Sequence, residues 1–582
     1  MTFSKFSFRP ARRVCYLTAA GGILLILILL AVFFSRSGNE DFRDFTGELF
    51  RREISSSTLN LHYTLKNPSA YGISNVPVSF GEFSTDIDKT SSKIHRIRTR
   101  LHSFRHRNLS DENRLTYQIL DYYLQSAEMG APFLLYQEPL SPVTGVHAQL
   151  PVLLSEFTLS DSRDVETYIL LLKQLPSYFS SLLHFEQKKE EEGLLMPDYQ
   201  LEEVLAWCHT FPAMKDKNYL YETFSERLNA VSSISPHKKA LYLRDHDSAI
   251  RDYVFPAYLE LAQGLESLKG KGQNEKGLCY LPEGKKYYEY LVRQTTGIST
   301  PVEKLQQRVE DQIYDDLSAF DSGLQVSKDL SPSMLETEDA SLILNDLKSR
   351  IRSSFPEIPD TQAVVKYVPP AMEPYLSPAF YLIPAIDNIK ENVIYINRAL
   401  TKSGIGLYTT LAHEGYPGHL YQTVYFSSKN PDPVRSILDF GGYVEGWATY
   451  CEMMSYYLSP LSKKEAVLCQ KNSSAFLGLY ALADMGIHYD GWSRMDTLDF
   501  FRDYGISDTV TINEIYELII GTPANYLKYY LGYLEFLDLK KDISKAVGKE
   551  FSHKKFHRAV LETGPAPFEI VRSEALKYFD LQ

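Results

Sequence analysis

The chain has 582 residues, 44% hydrophobic and 23% charged, a globular composition too apolar for disorder and long enough to bury a substantial core. Its net charge of −12, with no basic stripe of the kind that tracks phosphates, excludes nucleic acid as an expected partner. The five cysteines (Cys15, Cys208, Cys279, Cys451 and Cys469) lack CxxC spacing, which excludes a zinc ribbon and a disulfide-stapled scaffold. Any metal must therefore be held by histidine and carboxylate, and whether Cys208 and Cys279 pair stays open.

In chain order, residues 1–13 form a basic segment with Lys5, Arg9, Arg12 and Arg13, followed by 21 uncharged residues from Val14 to Phe34. This stretch is long enough to cross a bilayer with its basic flank inside. A cleaved signal peptide is the rival reading, but Ala31-Val32-Phe33 is a poor small-residue cleavage site. The expectation is a transmembrane signal anchor over 14–34, a single pass through the cell membrane, with the rest of the chain extracellular. Cys15 precedes the apolar core, unlike the acylated cysteine of a bacterial lipoprotein. Residues 35–45 read as a short polar linker, and 46–582 as the folded body, which begins near Phe45 and close to the membrane.

From there to about residue 290 the pattern is helical scaffold, exemplified by Val165, Tyr168, Ile169, Leu172 and Leu175 at helical spacing before Pro176. Helix starts are written at Thr300-Pro301-Val302-Glu303, with Thr300 as cap, and at Ser462 with Glu465, a capping box. Between them, short β-rich runs at 364–368, 380–383 and 392–396 predict a small sheet just before the next helix. The metal-site half runs from about 291. The 41 tyrosines read mostly as packing residues with a polar tip.

Chemistry concentrates at His413-Glu414-Gly415-Tyr416-Pro417-Gly418-His419, after the apolar stretch 405–412. Two imidazoles can hold a zinc ion, and the adjacent Glu414 can take the proton of an attacking water. In an HExxH helix the histidines are four apart and share a face. Here they are six apart, about 600° of rotation, so a straight helix would not bring them to one ion. Pro417 and Gly418 predict a kink that re-aims His419. Such a motif arises by chance roughly 0.04 times in a chain of this composition, so a third ligand is required. Glu445, in Gly441-Gly442-Tyr443-Val444-Glu445-Gly446-Trp447-Ala448-Thr449-Tyr450, completes a His2Glu set with a fourth position open. Glu452, two turns later on the same face, is either a partner for a ligand histidine or an ordinary solvated glutamate.

HEGYPGH followed by Gln422 and then EGWATY resembles the large bacterial domain-of-unknown-function family numbered eight-eight-five, whose signature is HExxPGHxxQ with a later EGWA. That family in turn resembles a distant branch of the gluzincin metallopeptidases. The resemblance implies a mainly α, large helical zincin-like fold around zinc, with His413, His419 and Glu445 as ligands and Glu414 as base. Further similar segments are the LPxG-like residues 277–284, the DxGxH..GW-like run from Asp484 to Trp492, Pro523 to Gly532, and Phe556-His557 with Val560-Leu561. These nominate Tyr529 and His488 as donors to the oxyanion of a cleaved amide, each with a packing role as the alternative. Asp484 would orient His488 or a ligand histidine, or make a local ion pair; His557 reads as structural. Tyr480 stands where relatives often carry an arginine, and Ala524-Asn525-Tyr526 where they tend to Gly-Gln-Ala, so subsite chemistry departs from the family pattern.

The expected function is a membrane-anchored, extracytoplasmic zinc metallopeptidase acting on peptides, with the edge of the small sheet pairing with extended substrate. The alternatives are a zinc hydrolase of a cell-wall or other non-peptide amide, and a non-catalytic surface-binding protein.

Overall fold

A computed structural model describes residues 38–581, apart from 143, 321–337, 371, 372, 374, 375 and 402. The expected transmembrane segment 14–34 lies outside the described residues; among those described, no helix is long and apolar enough to cross a membrane. The protein is mainly α, 69% helical, with a small three-stranded sheet.

Helical structure is present from residue 38 to 54 and buries Phe42, Phe45 and Phe50, so part of the expected linker already belongs to the folded body. The helix Ser162–Leu172 buries Val165, Tyr168, Ile169 and Leu172, as their spacing predicts. Pro176 does not end that run; it occupies the first turn of the next helix, Leu175–Glu191, where a missing amide hydrogen is harmless.

The apolar side chains form two main cores. One is drawn largely from residues 140–268. The other joins residues 42–124 to residues 288–575, so the metal-site half is completed by helices from the start of the chain. The sheet stands between them. Its strands are β1 (Gln362–Tyr367), β2 (Ala379–Leu382) and β3 (Glu391–Ile396), in the order β1-β3-β2. β1 runs parallel to β3 and β2 antiparallel to it, with Tyr381 opposite Ile394. Successive side chains point to opposite faces. Tyr381, Ile394 and Ile396 therefore join one core, while Phe380, Leu382, Val393 and Tyr395 join the other.

Two helices cross at backbone contact, Gly441–Leu458 and Asn525–Val547. A Cβ on Gly446 would stand 2.4 Å from the carbonyl carbon of Gly532, and one on Gly532 2.1 Å from the oxygen of Gly442. Only glycine permits this approach. It sets Glu445, on one helix, beside Tyr529, on the other.

The capping box at Ser462 is formed as expected. The one expected at Thr300 is not: the helix Val302–Leu317 has Pro301 as its cap residue and no side-chain cap. Glu303 instead accepts a hydrogen bond from Tyr489 at 2.6 Å.

Candidate metal centre

His413 closes the helix Ile405–Glu414, and His419 opens the next helix, His419–Ser427. The expected kink is thus a complete break of the helix at residues 415–418. Gly418 is essential to it, because a Cβ there would lie 1.8 Å from the carbonyl oxygen of His413. The turn is fastened by the neighbouring helix. Trp447 Nε1 donates to the Pro417 carbonyl at 2.9 Å, and Cys451 Sγ lies 3.4 Å from the same oxygen.

The break brings His413, His419 and Glu445 together, their ligating atoms all within 4.8 Å of one another. Glu445 Oε2 lies 3.6 Å from His413 Nε2 and 3.2 Å from His419 Nε2. The edge of a tetrahedron with zinc-to-ligand bonds of about 2.0–2.1 Å is roughly 3.3 Å, so the donor set fits such an ion. Glu452 is the partner of a candidate ligand histidine: its Oε2 is 3.1 Å from His413 Nδ1. That contact leaves Nε2 of His413 facing Glu445.

Electrostatics point the same way. Burial favours neutral His413, but hydrogen bonds to Glu445 and Glu452 and the charge of Glu414 outweigh it and hold its pKa well above the usual histidine range. Burial likewise opposes charge on Glu445, yet the two histidines push its pKa well below the ordinary carboxylate value. A proton trapped between carboxylates marks a place where positive charge is stabilised, and metal binding displaces such protons.

Glu414 is half-buried, and desolvation raises its pKa against the opposing pull of both histidines. Its Oε2 accepts the backbone N–H of Tyr381 at 2.8 Å, tying the expected base to β2. Tyr529 places its ring 6.3 Å from that of His413. Burial, the charges of Glu445 and Glu414 and a hydrogen bond to Glu445 all raise its pKa, so the phenol keeps its proton as a donor.

His488 is not brought into this group as a donor. Its Nδ1 accepts from the Leu278 N–H at 3.1 Å and its Nε2 donates to the Ile519 carbonyl at 2.9 Å. Both nitrogens are committed, and burial lowers its pKa to about 4, so the expectation of an oxyanion donor there is corrected to a structural role. The bond to Leu278 joins the LPxG-like and DxGxH-like segments. Asp484 bonds neither His488 nor either histidine of the cluster. It accepts from Tyr288 Oη at 2.6 Å and from the Ala524 N–H at 3.0 Å, and so fixes the start of the Tyr529 helix. His557 is structural, with Nδ1 bonded to the Ser354 carbonyl at 2.7 Å and Nε2 3.0 Å from Tyr450 Oη. Tyr480 packs against Tyr526, ring centroids 4.8 Å apart, so the two departures from the family pattern are neighbours. Cys208, Cys279, Cys451 and Cys469 are free thiols.

Two participants escaped sequence reasoning. The Tyr381 amide has no signal of its own, because any residue supplies an N–H. Lys528, whose Nζ lies 3.7 Å from Glu445 Oε1, stood next to Tyr529 in the segment that nominated it.

No curated protein matches the chain. Among solved structures, a "putative lipoprotein" from Colwellia psychrerythraea is similar, with a TM-score of 0.80 and 17% identity over 94% of this chain and 100% of that one. A "putative lipoprotein of unknown function" from Shewanella oneidensis is similar at a TM-score of 0.60 and 18% identity, over 94% and 99% of the two chains. At such identities the likeness is one of fold. The family described as "Bacterial protein of unknown function (DUF885)" matches residues 80–574, and the chain belongs to that family.

Proposed function

We propose that this protein is an extracytoplasmic zinc-dependent peptidase of gluzincin type, held at the cell membrane by residues 14–34. The observation that carries the reading is the convergence of His413, His419 and Glu445 within 4.8 Å, flanked by a half-buried glutamate and a tyrosine that chemistry at an amide requires. A divalent ion held by these three residues would supply Lewis acidity toward a carbonyl and toward water.

The chain's own groups then divide the work. Glu414, with a pKa raised by burial, takes the proton of the attacking water and delivers it to the leaving nitrogen. The Tyr529 hydroxyl donates to the carbonyl oxygen as negative charge gathers there. β2 lies at the end of the sheet order, and its Tyr381 N–H is directed to Glu414 rather than to β3. An extended peptide laid along that edge would be read through main-chain bonds and placed beside the base. The lipoprotein descriptions of the two structural neighbours support placement at a membrane surface.

The test is mass-spectrometric cleavage profiling of a mixed peptide library by the full-length protein with zinc, beside Glu414→Gln. Wild-type cleavage that is lost in the variant, with zinc retained, is the expected result. Equal cleavage by both would remove Glu414 as base. Zinc binding without cleavage would move the substrate to a non-peptide amide, and no zinc at all would favour a surface-binding role.

A further inference from the structure

Glu445 divides its two oxygens. Oε2 faces His413 Nε2 and His419 Nε2 at 3.6 and 3.2 Å, whereas Oε1 faces Lys528 Nζ at 3.7 Å. Among the described residues no other lysine or arginine forms an ion pair with the three clustered side chains. Lys528 is held from several sides. Its ammonium lies over the Tyr529 ring, 5.1 Å from the centroid, and its charge bears on the carboxylate of Asp439. Its stem packs at Gly441, where a Cβ would meet Lys528 Cδ at 3.4 Å. The lysine is therefore a fixed neighbour of the cluster rather than a free surface charge.

A carboxylate can bind a metal through one oxygen or both. With both, it fills a position that a catalytic centre keeps for water or substrate. For Glu445 to turn its second oxygen toward the metal, Oε1 would have to leave Lys528. We propose that Lys528 is a positioning residue that keeps Glu445 single-oxygen, and so keeps a coordination position open. The inference rests on the metal reading of the centre and adds to it the group that sets the coordination number.

The experiment is titration of the metal-free, full-length protein with cobalt(II), read by visible absorption, for wild type, Lys528→Met and Lys528→Arg. Four-coordinate cobalt absorbs strongly and higher coordination weakly. Lys528→Met is expected to bind cobalt with bands of clearly lower intensity, and to lose about 10- to 100-fold in turnover. Lys528→Arg, which keeps a cation at Oε1, is expected to restore the wild-type spectrum. Unchanged bands in Lys528→Met overturn the proposal. So does a folded Lys528→Met that binds no cobalt, since the lysine would then be needed for the site to form. Should Lys528→Met fail to fold, Lys528→Gln carries the same comparison. A wild-type protein that binds no cobalt or zinc overturns the metal reading itself, and the role of Lys528 with it, a result distinct from a metal-loaded pair with identical spectra.

Discussion

At the residue scale, the contact between Glu452 Oε2 and His413 Nδ1 at 3.1 Å fixes which nitrogen of His413 is left for a metal. A carboxylate on Nδ1 keeps a proton there, leaves Nε2 as the nitrogen that faces Glu445 and is free to exchange its proton for a metal, and raises the basicity of the ring. Glu452→Ala is therefore expected to weaken zinc about 10- to 100-fold, measured by competition with a chromophoric chelator. Glu452→Gln, which can still accept from Nδ1–H, should fall between that variant and wild type. Glu414→Gln should leave zinc affinity within a few-fold while abolishing turnover, because Glu414 bonds Tyr381 N–H and is no member of the ligand cluster. If Glu452→Ala holds zinc as tightly as wild type, the contact does not orient the ligand. The clustering of His413, His419 and Glu445 was legible in the sequence because His, Glu and glycine at that spacing serve few purposes. His488 was misread for the opposite reason: what it bonds, Leu278 N–H and the Ile519 carbonyl, is backbone far away in sequence, which no local motif announces.

At the scale of elements, the centre depends on a helix break and a helix crossing. The break was partly legible: Pro417 and Gly418 signalled an interruption, but its completeness depends on Trp447 and Cys451 bonding the Pro417 carbonyl. The short strands were legible from their composition to within two residues at either end. The Thr300 cap was not, since Glu303 is drawn off by Tyr489, 186 positions away. The crossing yields a sharper expectation. Gly446 adjoins Glu445, and a methyl group there would run into backbone, not into a side chain able to turn aside. Gly446→Ala should lower stability by about 1–3 kcal/mol by forcing the helices apart, and should weaken zinc because Glu445 moves with its helix. Denaturant midpoint and zinc affinity measured on the same preparation check both. A variant with wild-type values for each would mean that the crossing does not set the position of Glu445.

At the scale of the whole molecule, the interior holds several histidines in neutral form, and this sets how the fold responds to acid. Burial lowers the pKa of His147, His246 and His557 to about 3, and that of His62 and His488 to about 4. The unfolded chain takes up these protons near pH 6.5 and the folded chain does not, so each contributes stability that is present above pH 6.5 and lost as pH falls toward its folded value. The slope is about 1.4 kcal/mol per pH unit for each histidine. Two buried carboxyls act in the other direction. Burial raises Asp484 to about 7 and also pushes Glu186 up, so their ionisation destabilises the fold as pH rises above the ordinary carboxylate range. Five histidines outweigh two carboxyls between about pH 4.5 and 6, and the midpoint of thermal unfolding should fall steeply there. His246 isolates the cause. It lies against Phe224 and Tyr168, with ring centroids 4.0 and 5.8 Å away, and its Nε2 has no hydrogen-bond partner. His246→Phe keeps the stack and removes the titration. Its unfolding midpoint should match or exceed that of wild type at pH 7.5 and pull further ahead at pH 5. A gap between the two proteins that stays constant from pH 7.5 to pH 5 would show that His246 takes up its proton as readily in the folded chain as in the unfolded one, and that buried neutral histidine is not what limits this fold in acid.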